Sequence, residues 1–205
     1  MTSDIFIVGA GGHARSVINL VESAGKYRIT GIIDETYNPE KIEMINGYPI
    51  SGSELYRDRG AIYVLAIGDN ELRAKIFNTY SNFVVSENIF HSSAILAARV
   101  SFGRSNLIFP GVIINSNAEI GSNNIINSGC IIEHETLIGD NNHISVGAII
   151  AGRCKLGSNC FVGAGAVIID KICICDDVLI GANSTVVADI NEPGVYVGSP
   201  ARRIK

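Results

Sequence analysis

Large apolar residues recur at every sixth position through the second half of the chain. The series starts at Phe90 and ends at Val186, and its seventeen positions follow one another without a change of register. The fourth residue after each position is usually small or β-branched, as at Ala118, Cys130 and Ala148. A period of six fits neither an α-helix, with about 3.6 residues per turn, nor a hairpin meander. It is typical of a parallel β-solenoid, in which a short strand and a corner recur on each face and successive coils stack.

In such a solenoid the large apolar residue points into a thin core. The small residue two places before the next large one also points inward, because side chains alternate along a strand. Gly, Asn and Asp occupy the corners, where the backbone angles are unusual. An ordinary β-sandwich would space its turns irregularly, about eight to twelve residues apart. Seventeen matches in one phase therefore argue strongly against a sandwich.

The first third of the chain follows a different pattern. Apolar strands are predicted over residues 5–8, 29–33 and 62–67, helices over 15–24 and 71–80, and a last short strand over 83–85. A nucleotide-binding βαβ unit has the same order of elements: a strand, a glycine-rich turn, a helix, and a second strand that ends at an acidic residue. We therefore expect two domains, a Rossmann-like nucleotide-sugar-binding domain over residues 1–85 and the solenoid with a C-terminal tail over residues 86–205.

The turn after the first strand carries a glycine fingerprint. Gly9, Gly11 and Ala14 match the permissive form G-x-G-x-x-A, and Asp34 follows at a suitable distance. Glycines here let backbone N–H groups approach a diphosphate at a helix N-terminus. Three glycines and a polar His13 favour phosphate binding over a simple tight turn. Because about 85 residues are too few for a complete NAD domain, we expect a mononucleotide or a nucleotide sugar.

Composition narrows the class of protein. The 205 residues are 18% charged and 47% hydrophobic, with a net charge of −4 and no basic run, which disfavours nucleic acid and anionic membrane as partners. No apolar stretch reaches the ~20 residues of a membrane-spanning helix, and no signal peptide is recognisable. We therefore expect a cytoplasmic protein.

His134 is the candidate base of the solenoid. It lies two residues after an apolar position, hence at a corner, and Glu135 follows directly. A carboxylate beside an imidazole orients it and increases its basicity. A solvated histidine with incidental acidic neighbours is the alternative. His143 directly precedes Ile144 and should project from a face.

Two other chemistries are less well supported. A metal site, as in β-helical carbonic anhydrases, needs three ligands and an open position, and besides His134 and His143 the solenoid offers only the distant His91. A cysteine nucleophile is disfavoured because the candidate thiols point inward, where a thiolate is costly to form. We expect no metal and a direct transfer.

The chain resembles a known family. The residues that carry the resemblance are the glycine-rich N-terminal unit, the hexapeptide repeat, Glu133-His134-Glu135 and the ending 194–202 (GVYVGSPAR). Together they are similar to the sialic acid O-acetyltransferase and UDP-4-amino-sugar N-acetyltransferase family, and most of all to its bacillosamine-pathway branch. The resemblance implies a left-handed parallel β-helix, acetyl-CoA as co-substrate, and a homotrimer with active sites between subunits.

It also implies three sets of site residues. The catalytic set is His134 as general base and Glu135, which increases its basicity. The substrate-binding set is Gly11, Gly12, His13, Asp34, Glu35, Gly68 and Asn127. The acetyl-CoA set is His143, Gly152, Ala164 and Ala182, with backbone roles for the two alanines and an oxyanion contact from the N–H of Gly152.

The function that follows is acetyl transfer from acetyl-CoA to the 4-amino group of a nucleotide-linked 4-amino-4,6-dideoxy sugar, UDP-linked by preference. The alternative on the same scaffold is O-acetylation of sialic acid or a related nonulosonic acid. A non-catalytic nucleotide-sugar binder and a metal-dependent hydratase are hypotheses of other classes. Outward apolar residues such as Ile131, Leu137 and Phe161 would gain from burial in a trimer.

Overall fold

The computed structural model describes residues 3–38, 43–52 and 62–205. The N-terminal part begins with a sheet and two helices. In chain order its elements are β1 (Ser3–Val8), α1 (Gly12–Ala24), β2 (Tyr27–Ile33), β3 (Met44–Ile45), β4 (Tyr48–Ser51), β5 (Ile62–Leu65) and α2 (Asn70–Thr79). The sheet order is β3-β4-β2-β1-β5, and β1 pairs in parallel with both β2 and β5. The strand order therefore reverses at β1, which is where ligands bind in open α/β sheets.

Most of the predicted elements of this part are present, and two differences stand out. The short hairpin of β3 and β4 was not predicted, although its Asn46-Gly47 turn, with both φ angles positive, is a typical hairpin signal. The strand predicted over residues 83–85 is reduced to one bridge between Tyr63 and Val84.

The solenoid confirms the six-residue repeat, with three faces and 18 residues from one coil to the next. The first face holds β6 (Ile89–Phe90), β9 (Leu107–Ile108), β12 (Ile125–Ile126), β15 (His143–Ile144), β18 (Phe161–Val162) and β21 (Val178–Ile180). The second face holds β7 (Ile95–Leu96), β10 (Ile113–Ile114), β13 (Ile131–Ile132), β16 (Ile149–Ile150), β19 (Val167–Ile168) and β22 (Thr185–Val186). The third face holds β8 (Ser101–Phe102), β11 (Glu119–Ile120), β14 (Leu137–Ile138), β17 (Lys155–Leu156) and β20 (Cys173–Ile174).

The large apolar residue of each strand forms the core of the solenoid. From Ile108 to Val186 every sixth residue is buried, whereas Leu96 in the first coil is 41% exposed because no coil stacks below it. On three successive coils of one corner the inward small position is Asn instead. Asn106, Asn124 and Asn142 are buried, and each accepts a backbone N–H from the next coil through its Oδ1. This ladder ends at Cys160, and Nδ2 of Asn142 has no partner there.

The N-terminal part packs against the first face. One apolar cluster joins residues of β1, α1 and β2 to Val85, Ile89, Leu107, Phe109 and Ile125. The cluster crosses the domain boundary proposed at residue 85, and this boundary remains a proposal. At the other end, β23 (Gly194–Val197) extends the first face beyond β21, and β24 (Arg202–Arg203) pairs with it antiparallel. No helix among the described residues has the length and hydrophobicity needed to cross a bilayer.

Candidate active site

We call the corner between the first and second faces the first corner, that between the second and third faces the second corner, and the remaining one the third corner. His134 and Glu135 lie at the second corner, between β13 and β14. The Nδ1 atom of His134 is 3.1 Å from Oε2 of Glu135. An ionised carboxylate can only accept a hydrogen bond, so this contact places the hydrogen on Nδ1 and leaves the lone pair on Nε2. With side chains 47% and 56% exposed, the pair is open to a substrate.

Gly152 lies on the coil above and makes room for the imidazole. The two coils are joined by a hydrogen bond from Arg153 N to His134 O. A methyl group on Gly152 would lie only 2.8 Å from Cε1 and Nε2 of His134. Only glycine therefore allows the imidazole to take this position against the next coil.

The backbone at Glu135 is in the left-handed region, with φ 58°. Among the described residues, six of the twelve non-glycine residues with this conformation are Asn, which tolerates it better than other side chains do. A glutamate here is less favourable for the backbone, and its carboxylate is held beside His134. The neighbouring Glu133 was not predicted as a site residue; its carboxylate accepts from Nδ2 of Asn115 (2.9 Å) and from the N–H of His134 (3.3 Å).

The glycines of the fingerprint form the start of α1. Gly11 is the N-cap and contributes no side-chain cap, and both Gly11 and Gly12 are exposed with open space around them. The first N–H groups of a helix lack internal partners and attract anions. Gly9 has φ 104°, and a methyl group there would lie 2.9 Å from Ala66 O, so glycine lets the ends of β1 and β5 approach closely.

Asp34 and Glu35 follow β2 at the same edge of the sheet. Asp34 accepts from Ala10 N (2.6 Å) and from Thr36 N (2.8 Å). Burial acts to raise the pKa of Asp34, but the hydrogen bonds from Thr36 and Ala10 outweigh it and lower that pKa. Asp34 therefore organises the turn. A cavity of about 200 Å³ opens beside it. Its lining comprises Val8, Gly9, 33–36, Ile67, Leu72 and Ile76.

His13 and His143 meet where the N-terminal part touches the first face, with ring centroids 5.9 Å apart. The Nδ1 of His143 lies 3.2 Å from Gly68 O, and its Nε2 lies 3.3 Å from Nδ2 of Asn127. Burial, aided by the positive charge of Arg73, lowers the pKa of His13 to about 4. Burial also lowers the pKa of His143 to about 4, against the effect of the Gly68 hydrogen bond. Both imidazoles are neutral at physiological pH, and Nδ1 of His143 donates.

The structure brings His143, predicted for acetyl-CoA, together with the predicted substrate residues His13, Gly68 and Asn127. Asn127 begins the first corner, and on higher coils of that corner lie the exposed Ala164 and Ala182. Successive coils are joined at this corner by hydrogen bonds from Gly165 N to Val146 O and from Asn183 N to Ala164 O.

The predicted site residues thus form two groups. His134, Glu135 and Gly152 lie at the second corner, and the others lie on the first face, at the first corner or in the N-terminal part. Between the two corners runs the second face, whose outward residues are apolar on five successive coils: Ile95, Ile113, Ile131, Ile149 and Val167. Within one chain the two groups stay on opposite edges of this face.

The cysteines match the expectation of inert thiols. Burial raises the pKa of Cys130 and of Cys160 to about 12, so neither forms a thiolate readily near neutral pH. In the described ranges, no three His, Cys, Asp or Glu side chains converge as metal ligands do.

Sequence reasoning missed one buried charge. Arg73 of α2 is 1% exposed and lies between the N-terminal part and the solenoid. Its position in an amphipathic helix gave no signal, because only the packing of α2 on the solenoid brings it to backbone carbonyls of the third corner.

Two family models match the chain. Residues 4–80 match the PglD N-terminal domain, and residues 135–170 match the bacterial transferase hexapeptide (six repeats). These two matches and the solved structures below agree with the resemblance to sugar acyltransferases. The resemblance stated from the sequence is thereby confirmed. Comparison with curated proteins gave no match.

Solved structures agree over the whole length. A variant of GDP-perosamine N-acetyl transferase from Caulobacter crescentus, in complex with CoA and GDP-perosamine, is 29% identical with a TM-score of 0.90, covering 100% of this chain and 98% of that one. The acetyltransferase domain of PglB from Neisseria gonorrhoeae is 22% identical (TM-score 0.89, 99% and 100% covered). WeeI from Acinetobacter baumannii is 21% identical (TM-score 0.85, 98% and 100% covered). The last two likenesses concern the fold.

Proposed function

We propose that the protein is an acetyl-CoA-dependent N-acetyltransferase that acts on the 4-amino group of a nucleotide-linked 4-amino-4,6-dideoxy sugar. The observation that carries the proposal is the His134–Glu135 pair, with Nε2 free to act as a base beside the next coil. The Caulobacter relative, which binds CoA and a GDP-linked amino sugar, supports the substrate class.

The proposed reaction is a direct transfer. The sugar amine attacks the carbonyl carbon of the thioester, so that a C–N bond forms and the C–S bond breaks. Nε2 of His134 accepts the proton from the amine and passes it on to the leaving thiolate of CoA. Glu135 stabilises the transient imidazolium, and the N–H of Gly152 donates to the developing oxyanion.

The two substrates are assigned to different parts of the chain. The exposed start of α1 at Gly11 and Gly12 suits the diphosphate, and Asp34, Glu35 and the adjoining cavity suit the ribose and base. The first corner, with Ala164 and Ala182, is proposed to carry acetyl-CoA. His143, Gly68 and Asn127 then lie where the sugar meets the thioester.

The nucleotide is the part of the substrate on which the two sources of support differ. The family resemblance implies UDP, whereas the Caulobacter relative binds GDP-perosamine. We keep UDP as the first choice and GDP as the second in the assay below.

The separation of the two residue groups supports a homotrimer with active sites between subunits. A second copy packed on the apolar second face would set its His134 beside the first corner of its neighbour, and would cover Ile95, which is 61% exposed. The proposal predicts complementation: chains carrying His134→Ala, coexpressed with chains carrying His13→Ala, regain activity that neither has alone. If mixed assemblies stay inactive, the site is not shared between subunits.

The test of the reaction is an acceptor screen with acetyl-CoA, followed by thiol release and mass spectrometry of the product. The panel comprises UDP- and GDP-linked 4-amino sugars, their 4-hydroxy counterparts, and free and CMP-linked sialic acid. A base-stable acetyl group on an amino sugar, lost in His134→Ala, is the expected result. A base-labile acetyl group on sialic acid would replace the proposal with O-acetylation, and no transfer at all would indicate a binding protein.

A further inference from the structure

Arg73 is buried, and no carboxylate of the described residues lies within ion-pair distance of it, although the charge of Asp69 acts to raise its pKa. The five N–H groups of its guanidinium lie within hydrogen-bond distance of six acceptors, so at least one N–H is shared, and all six acceptors are neutral oxygen atoms. They are Asn123 O (3.2 Å), Ile67 O (3.2 Å), Gly68 O (3.4 Å), Asn70 Oδ1 (2.8 Å), Asn141 O (2.8 Å) and Asn142 O (3.1 Å). Burial lowers the pKa of Arg73 to about 10, which leaves it protonated at neutral pH.

The acceptors belong to two separate parts of the molecule. Ile67 and Gly68 form the loop after β5, at the nucleotide edge of the sheet, whereas Asn123, Asn141 and Asn142 belong to the third corner of two successive coils. Asn70, which accepts from Arg73, itself donates through Nδ2 to Asn159 O (3.3 Å) and Cys160 O (2.9 Å) on the next coil. Arg73 and Asn70 together attach α2 to three coils.

The corner carbonyls are available because of the backbone conformation. Asn123, Asn141 and Asn159 have φ of 57°, 60° and 59°. In the described part of the chain, no backbone N–H donates to any of these three carbonyls. A planar guanidinium with several fixed N–H directions fits such a set of acceptors, which a lysine ammonium would not.

The same loop reaches the site. The carbonyl of Gly68 accepts from Nη1 of Arg73 and from Nδ1 of His143. Holding the N-terminal part against the solenoid does not require a buried charge, because burying a charge is costly and apolar packing would hold the two parts together as well. The guanidinium of Arg73 instead fixes the distance and angle between the loop after β5 and the solenoid.

We propose that Arg73 is a positioning residue that sets the nucleotide-binding part against the solenoid, so that the amino sugar and the thioester meet at the correct distance. This inference rests on the proposed acetyl transfer. It separates binding from turnover: the diphosphate contacts of α1 and the acetyl-CoA contacts of the first corner each lie within one part and do not depend on Arg73.

The test compares Arg73→Met, Arg73→Lys and Asn70→Ala with the control Arg28→Met, which removes an exposed arginine paired with Asp4 in the same part of the chain. Calorimetry measures the Kd of UDP or GDP alone and of CoA alone, and steady-state kinetics measures kcat. Because a displacement of about 1 Å can cost about 10²-fold in rate, we expect a fall of that order in kcat for Arg73→Met, a smaller fall for Arg73→Lys and Asn70→Ala, and unchanged Kd values. Arg28→Met should behave as wild type.

An unchanged kcat in Arg73→Met would overturn the proposal. The proposal would also be overturned if Arg73→Met and Asn70→Ala both weakened the binding of nucleotide and of CoA and lowered the thermal midpoint in proportion. That pattern would mark a purely structural role. If the wild-type protein transfers no acetyl group to any acceptor, the proposed function fails, and the ¹⁵N resonances of His143 then decide about Arg73. The fraction of His143 in the Nδ1–H tautomer should decrease in Arg73→Met and stay unchanged in Arg28→Met.

Discussion

The second corner and the contact between the N-terminal part and the first face use the same side chain in opposite environments. His134 is half exposed and paired with Glu135 at 3.1 Å. His143 is buried and His13 is partly buried where their rings meet, and desolvation first of all lowers the pKa of each to about 4. The first environment leaves the imidazole open to a substrate, and the second holds neutral imidazoles, of which His143 donates to Gly68 O and accepts from Asn127. Histidine is therefore expected to have two roles in this protein, and the role depends on the exposure of the imidazole to solvent and on the oxygen atom nearest to it.

The largest effect is expected from the exposed histidine. His134→Gln removes the base while keeping a polar side chain, so kcat should fall by about 10²–10⁴-fold with the thermal midpoint unchanged. His91→Gln is the matched control, because the imidazole of His91 is partly exposed to solvent at the surface and its hydrogen bonds within the described residues are to the nearby Ser93. Full activity in His134→Gln would contradict the assignment of the base.

A smaller but still large effect is expected when His134 is moved and not removed. In Gly152→Ala the new methyl group would lie 2.8 Å from the imidazole, which must rotate away, and we expect a loss of about 10²-fold in kcat. Asp170→Ala, at the same place on the next coil, should leave kcat unchanged. Equal losses in both variants would show that any change at this corner is harmful.

The buried pair should instead determine the response of stability to acid. Because the folded-state pKa values near 4 lie below the ordinary value of 6.5, the unfolded chain binds protons first as the pH falls. The free energy of unfolding should therefore be constant above about pH 6.5 and decrease between about 6.5 and 4, by roughly 3 kcal/mol per histidine. Urea denaturation at a series of pH values measures this, and His143→Gln should reduce the slope. An equal slope in His143→Gln and in wild type would contradict the assignment.

The smallest effect sharpens the comparison at Glu135. Glu135→Asn relieves the left-handed backbone strain and should raise the free energy of unfolding by about 1 kcal/mol while lowering kcat. Arg99→Asn, with φ 63° at the same corner of an earlier coil, should give the gain in stability without the loss of activity. Chemical denaturation and initial rates on both variants test this, and a loss of stability in Glu135→Asn would mean that the carboxylate supports the fold.

The amino-acid sequence by itself determined the solenoid and the kind of chemistry. A period of six with a small residue two places before each large one leaves a single way to bury the apolar side chains, and it fixed the corner at which His134 and Glu135 lie. The glycine turn and the acid after β2 likewise followed from local backbone needs. These features depend on neighbours within one coil or one βαβ unit, and such neighbours are close in sequence.

Tertiary structure alone decided how the two parts meet. The contact of His143 with Gly68 spans 75 residues, and that of Arg73 with Asn142 spans 69. Neither leaves a periodic trace, because each depends on how a helix is placed on a solenoid face. The same holds for the grouping of His143 with the predicted substrate residues and for the distance between the two corners. Desolvation at that contact holds His13 and His143 neutral, whereas His134 lies half exposed beside Glu135, and residue type alone does not make that distinction.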